Sequence, residues 1–132
     1  LTLVDLPGYG YARGGTSSRR AFDVCTKNFF NSMVTVTGDH KNLRTRARLA
    51  GVIIALDARH PGLPLDLEAK TWVQNKQIPL IAIMTKTDRL TRTALQSATR
   101  EHEVAFGSPV MAVSNKTGAG IEMLWRAIVK LL

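Results

Sequence analysis

Four short apolar runs recur along the chain, and each is followed at once by a polar residue. They are Leu1 to Val4 before Asp5, Gly51 to Leu56 before Asp57, Ile78 to Met84 before Thr85, and Val110 to Val113 before Ser114. Continuous apolar runs are typical of strands buried on both faces, as in a mostly parallel sheet covered by helices. Ligands of such sheets bind in the crevice beyond the carboxyl ends of the strands. The sequence therefore predicts an α/β fold with its site near these four polar residues.

Helical periodicity fills the stretches around these runs. Helices are predicted from Ser17 or Ser18 to about Gly38, after the turn from Pro61 to Pro64, from a Thr91 cap to about Phe106, and after Gly120. The apolar faces predicted for the first, second and last of them are Phe22, Cys25, Phe29 and Met33; Leu65, Ala69, Trp72 and Val73; and Ile121, Leu124, Trp125, Ile128, Val129 and Leu132. Alternating strands and helices are typical of α/β domains.

Composition narrows the class of protein. The chain has 132 residues, one domain's worth, and 18 Lys and Arg against 10 Asp and Glu give it a formal net charge of +8. This charge indicates an anionic partner such as nucleic acid, with a generally basic solvated surface as the alternative. One cysteine, Cys25, excludes an internal disulfide and favours a reducing compartment with no disulfide-linked partner. No apolar run reaches the roughly 18 residues of a membrane helix, so no membrane association is predicted.

Three of the turns after the strands carry residues suited to a nucleotide. Asp5-Leu6-Pro7-Gly8 offers a carboxylate for Mg²⁺ and a glycine amide that can approach a phosphate. In Thr85-Lys86-Thr87-Asp88 the carboxylate can accept two hydrogen bonds from the N1–H and amine of guanine, and the lysine stem can lie along the base. A backbone N–H of the Ser114 to Gly118 turn can donate to the guanine carbonyl. Each motif alone also fits an ordinary turn; their order is more specific.

Together, D-x-P-G, T-K-x-D and S-x-K-T-G resemble the third to fifth motifs of the P-loop GTPases. The chain most resembles their EngB family, whose members act in ribosome assembly. That family is a branch of the TrmE-Era-EngA-EngB-septin-like class. The chain's segment D-L-P-G-Y-G-Y-A from Asp5 to Ala12 and its segment D-A-R-H from Asp57 to His60 match that family, as do Asp66, Trp72 and Thr85. The resemblance implies a single partial G domain over residues 1–132, in a three-layer fold with helices on both faces of the sheet.

The resemblance also implies roles for individual residues. Asp5 would hold Mg²⁺ through a water, and the Gly8 amide would sense the γ-phosphate of GTP. Lys86 and Asp88 would select guanine, Thr85 would brace their loop, and Arg59 and His60 would organise the end of their strand. The full set of nucleotide-binding residues implied in this way is Asp5, Leu6, Pro7, Gly8, Thr85, Lys86, Thr87, Asp88, Ser114, Asn115 and Lys116.

Hydrolysis is expected to be slow, because Tyr9 stands where Ras-like enzymes place a water-orienting glutamine. Tyr9, Gly10 and Tyr11 would belong to a switch loop. The chain contains no Gly-Lys pair and hence no G-x-x-x-x-G-K-[ST] phosphate loop. It also begins inside a predicted strand without an initiator Met, so we expect it to be part of a longer protein. The alternative is a degenerate relative that lacks a phosphate loop. In either case these 132 residues alone are expected to bind GTP poorly.

The function implied is a GTP-binding switch, a GTPase in its full-length form, in assembly of the large ribosomal subunit. The alternative is an inactive G-domain-like scaffold that binds ribosomal RNA or assembly factors. Large-subunit precursors would be the partner, and the candidate RNA contacts are Arg19, Arg20, Lys41, Arg44, Arg46 and Arg48. The basic pI, about 10.3, favours the mitochondrial matrix, with a bacterial cytoplasm as the alternative.

Overall fold

The structure is a computed structural model that describes residues 1–6, 24, 26–30 and 49–132. The chain divides into two compact units, Leu1–Leu49 and Ala50–Leu132. In the first unit, residue 24 and residues 26–30 are helical, within the long helix predicted there. The rings of Phe29 and Phe30 meet edge to face at 5.4 Å, and Phe30 is the more deeply buried of the two. Phe22, Cys25 and Met33 lie outside the described residues.

The second unit contains a parallel sheet of three strands in the order β1-β2-β3. These are β1 (Val52–Asp57), β2 (Leu80–Thr85) and β3 (Met111–Ala112). Both pairs are parallel, and the register of the first runs from Val52 opposite Leu80 to Asp57 opposite Thr85. The carboxyl ends of the strands therefore share one edge. The predicted α/β class with a parallel sheet is confirmed.

Three helices follow the strands: α1 (Pro64–Asn75), α2 (Arg92–Phe106) and α3 (Ile121–Val129). Pro64 opens α1, where its missing N–H costs nothing. As predicted, Thr91 caps α2, its hydroxyl oxygen accepting a hydrogen bond from the Ala94 amide at 3.3 Å. Gly107 ends α2 in the left-handed conformation, with φ +59°. No helix in the described ranges is long and apolar enough to cross a membrane.

The core of this unit lies between the strands and the helices. Leu56 of β1, Met84 of β2 and Phe106 of α2 are almost wholly buried. Burial of a side chain of this size contributes about 1.5–3 kcal/mol. Val110 and Val113, which flank β3, are also buried, and the Val113 amide donates to the Met84 carbonyl at 2.8 Å. Apolar strand ends thus extend the core beyond the ladder itself.

Some predicted elements differ from the structure. The strand predicted from Leu1 to Val4 is wrong: these residues have no strand conformation, and Leu1, Leu3 and Val4 are exposed. Apolar composition favours a strand, but a strand forms only where a neighbour completes its hydrogen bonds. Residues 1–6 pair with no strand in the part of the chain that the structure describes.

The other strand boundaries are shifted. The third predicted strand starts at Leu80 instead of Ile78, because the Ile78 amide donates to the Val73 carbonyl at the end of α1. The fourth is reduced to two residues. On α3 the predicted face is only partly buried: Ile128 lies in the core, whereas Trp125, Val129 and Leu132 are exposed. The apolar face of α3 is wider than the surface it packs on.

Candidate functional site

Two loops meet at the carboxyl edge of the sheet. The first follows β2 and contains Lys86 and the short 3-10 turn Thr87–Arg89. The second follows β3 and begins at Ser114. Their direct contact is the Ser114 hydroxyl, which donates to the Asp88 Oδ1 atom at 2.7 Å. The structure thus brings together two of the motifs that the sequence places 26 residues apart.

A second, buried bond ties the same loops. The Thr87 hydroxyl donates to the Val113 carbonyl at 2.9 Å, and the Thr87 side chain is buried. Ser114 is only 1% exposed, so its hydroxyl is fixed against rotation out of the site. That hydroxyl also accepts from the Thr117 amide at 3.2 Å, which closes the second loop on itself. Both loops are therefore held from inside the protein.

The Asp88 carboxylate is exposed, and its surroundings favour the ionised form. The hydrogen bond from Ser114 lowers the pKa of Asp88, and the positive charges of Lys116 and Arg89 lower it further. An ionised carboxylate held in one orientation accepts hydrogen bonds from a ligand with two neighbouring N–H donors. The site is thus suited to reading the edge of a planar base. Asn115 and Lys116 follow Ser114 and are exposed beside it.

A second carboxylate, that of Asp57, stands at the end of β1. Arg59 donates to both of its oxygens, at 2.8 Å from Nε to Oδ1 and 2.6 Å from Nη2 to Oδ2. The Lys86 ammonium also reaches Oδ2, at 2.8 Å. The pKa of Asp57 is held far below its usual range, first by the bond from Arg59 and then by Lys86, although desolvation opposes them.

These bonds agree with the predicted role of Arg59 at the end of its strand, whereas the role of the His60 side chain stays a prediction. Besides its side-chain bonds, the Arg59 amide donates to Asp57 Oδ1 at 3.1 Å, and the His60 amide donates to the Asp57 carbonyl at 3.0 Å. Thr85 braces the same level of the sheet, since its hydroxyl donates to the Leu56 carbonyl at 2.9 Å. Sequence reasoning missed the pairing of Asp57 with Lys86. The available signal was that Asp57 and Lys86 both stand at ends of apolar runs expected to be neighbours.

Of the remaining predicted site residues, the structure describes only Asp5 and Leu6. Asp5 is exposed and Leu6 is half-buried, and both lie in the other compact unit from the two loops. Pro7, Gly8, Tyr9, Gly10 and Tyr11 lie outside the described residues. So do all six candidate RNA contacts, which are Arg19, Arg20, Lys41, Arg44, Arg46 and Arg48.

Few side chains in the described residues could bind a metal ion together. Within residues 1–6, 24, 26–30 and 49–132, no three His, Cys, Asp or Glu side chains cluster as metal ligands would. Mg²⁺ in nucleotide sites, however, is held by one or two carboxylates with phosphate oxygens and water completing its shell. The single carboxylate of Asp5 fits that pattern only in company with a nucleotide.

Comparison with known proteins places the chain. It is 32% identical over 131 residues to a "Probable GTP-binding protein EngB" of Symbiobacterium thermophilum, an alignment that takes in 96% of this chain. It is 30% identical over 134 residues to a protein of the same name from Bacillus cytotoxicus, with 98% of this chain aligned. The chain belongs to the EngB family. No protein-family model matches the sequence.

A solved structure supports the fold of this EngB family member. The crystal structure of a probable GTP-binding protein EngB superposes with a TM-score of 0.72, covering 96% of this chain and 75% of that one at 17% identity. The chain spans 51% of the length of the Symbiobacterium relative and 61% of the Bacillus relative. It therefore corresponds to about half or three fifths of such an EngB protein.

Proposed function

We propose that this chain binds the base of a guanine nucleotide at its two joined loops. The observation that carries the proposal is the bond from the buried Ser114 hydroxyl to the exposed Asp88 carboxylate. It orients the carboxylate toward solvent as a paired acceptor, which the N1–H and amine of guanine match and the adenine edge does not. The names of the EngB relatives, which describe GTP-binding proteins, support the same ligand.

Lys86 and the second loop complete the proposed base site. The Lys86 stem would lie along the base plane, and Ser114, Asn115 and Lys116 would close over the base edge. Thr85 and Thr87 would act from inside, since their hydroxyls are bound to the carbonyls of Leu56 and Val113. Contact of Thr87 with the nucleotide itself stays a prediction.

The phosphate side of the ligand rests on the residues of the first motif. We propose that Asp5 holds Mg²⁺ through a water, that Leu6, Pro7 and Gly8 lie beside the terminal phosphate, and that Tyr9, Gly10 and Tyr11 form the switch loop. Mg²⁺ would neutralise charge on the phosphates during transfer. Hydrolysis in the full-length protein would be slow, because a tyrosine phenol cannot orient the attacking water as glutamine does.

The proposed biological role is a switch in assembly of the large ribosomal subunit, with ribosomal RNA and assembly factors as partners. The net charge of +8 supports an anionic partner. Reversing the charges of Arg44, Arg46 and Arg48 is expected to weaken binding to large-subunit precursors and to flatten its salt dependence. Unchanged binding would contradict this role for the cluster. The mitochondrial location stays a prediction, and the bacterial relatives favour the cytoplasmic alternative.

The base site itself is tested by a matched pair of serine variants. Ser114→Ala removes the bond to Asp88, whereas Ser97→Ala removes a similar bond to the Glu101 carboxylate on the exposed face of α2, at 2.9 Å. In NMR titrations of the full chain, we expect GDP to bind more tightly than ADP. Ser114→Ala should weaken GDP binding about tenfold, since a hydrogen bond to a charged group is lost, and Ser97→Ala should leave it unchanged. Equal affinities for GDP and ADP would refute the proposed function.

A further inference from the structure

The ion pair between Asp57 and Lys86 links the end of β1 to the loop that carries Asp88. Asp57 lies opposite Thr85 in the strand register, so its side chain emerges at the level where β2 gives way to the loop. The Lys86 ammonium is 2.8 Å from Asp57 Oδ2, across 29 residues of sequence. Through this bond a side chain of β1 is joined directly to the loop after β2 that carries Asp88.

Asp57 is itself held rigidly. Arg59 grips both carboxylate oxygens, and its amide adds a third bond to Oδ1. The carboxylate therefore cannot rotate freely when Lys86 binds it. A fixed acceptor restrains a long, flexible lysine better than a mobile one, because less side-chain entropy remains to be lost.

The backbone at Lys86 needs such a restraint. Lys86 has φ +61° and ψ +28°, a left-handed backbone conformation that residues other than glycine rarely adopt. The turn Thr87–Arg89 starts directly from it, closed by the Arg89 amide donating to the Lys86 carbonyl at 3.1 Å. Asp88 sits inside that turn. A change in the backbone at Lys86 would therefore move the Asp88 carboxylate relative to Ser114.

We infer that Asp57 is a positioning residue for base recognition: it holds Lys86 in the left-handed turn and so sets where Asp88 presents its carboxylate. This inference rests on the proposed guanine site and adds a residue of the neighbouring strand to it. Asp57 itself would touch no part of the base. Its side chain is 18% exposed and that of Lys86 is 44% exposed, so an isosteric change of Asp57 alters the charge pair without opening a cavity in the core. Position and stability can therefore be measured separately.

The test compares affinities of the full chain for GDP and IDP. IDP lacks the 2-amino group and so loses one of the two hydrogen bonds that Asp88 would accept. We expect the wild-type chain to prefer GDP by about tenfold or more, the value of one bond to a charged group. Asp57→Asn should reduce that ratio by about threefold or more, as expected for coupled neighbours, at a temperature where its melting curve shows that the variant is folded. Glu122→Gln, which removes the exposed pair with Arg126 on α3, is the control and should leave the ratio unchanged.

A double-mutant cycle with Lys86→Met identifies the route of the effect. If Asp57 acts through Lys86, Asp57→Asn causes no further fall of the ratio once Lys86 is methionine. Effects that multiply, or a ratio that survives Asp57→Asn in a folded chain, would overturn the inference while leaving the guanine site intact. Should Asp57→Asn fail to fold, an unchanged ratio in Lys86→Met would overturn it. A wild-type chain with no preference for GDP over ADP would remove the proposed function and this inference together.

Discussion

Two glycines of the loop after β3 offer a matched test of how tightly the site is packed. Gly118 has φ +77° and Gly120 has φ +76°, so alanine would be in the strained left-handed region at both positions. At Gly118 an added Cβ would have no atom within 4 Å, whereas at Gly120 it would lie 2.0 Å from the Ala112 carbonyl oxygen. The difference between the two variants therefore isolates the collision with β3.

The magnitudes follow from these contacts. Left-handed strain alone costs about 1–2 kcal/mol, which is the whole expected effect of Gly118→Ala. Gly120→Ala must also displace either β3 or the start of α3, and we expect a loss of about 4 kcal/mol or more, the range of severe core changes. For a chain of 132 residues, each kcal/mol corresponds to roughly 3 to 4 °C in melting temperature.

Differential scanning calorimetry of the two variants measures this difference. Gly118→Ala should melt about 3 to 8 °C below the wild type, and Gly120→Ala about 12 °C or more below it. Melting temperatures within a few degrees of each other would refute the packing argument, because the collision would then be relieved at no cost. Such a result would also mean that the loop after Ser114 is not held in the conformation described.

Three further predictions concern single contacts. Thr87→Val leaves the Val113 carbonyl without its buried donor and should lower the free energy of unfolding by about 1–3 kcal/mol; in the same denaturation assay Thr71→Val, on the exposed face of α1, should stay within about 0.5 kcal/mol of wild type. Lys70→Met removes a bond to the last carbonyl of α2 and should lower the free energy of unfolding by about 1 kcal/mol. An unchanged midpoint in chemical denaturation would contradict this. Because the pKa of Asp57 is lowered on folding, its charge stabilises the protein above the unfolded value of 3.8 and this contribution fades as pH falls below it. The stability of Asp57→Asn should accordingly depend less on pH in acid than that of wild type, and parallel acid titration curves would contradict this.

The strands and the place of the site could be predicted because both depend on local sequence. Apolar runs identified β1 and β2 to within two residues, and parallel strands necessarily bring the turns after Thr85 and Val113 to one edge. The Thr91 cap is equally local, since one side chain and one amide three residues later decide it. These predictions are confirmed because the local patterns behind them also determine the structure.

Other features depend on neighbours that a single sequence does not reveal. Leu1 to Val4 are apolar enough for a strand, but strand pairing is a property of two segments. The sequence predicts an apolar face on α3, yet Trp125 on that face is 47% exposed, because burial depends on what packs against it. The grip of Asp57 on Lys86 is likewise a tertiary contact, set by strand register rather than by spacing along the chain.

Recognition of the guanine base by Asp88 is tested by one residue exchange combined with a change of the nucleotide base. Asp88→Asn replaces a paired acceptor with an amide that offers both an acceptor and a donor, which suits xanthine better than guanine. Dissociation constants of GDP and XDP are measured for the wild-type chain and for Asp88→Asn under the same conditions. We predict that wild type prefers GDP and that the variant's preference shifts toward XDP. A variant that keeps the wild-type preference, or two chains that are both indifferent to the base, would contradict recognition of guanine by Asp88.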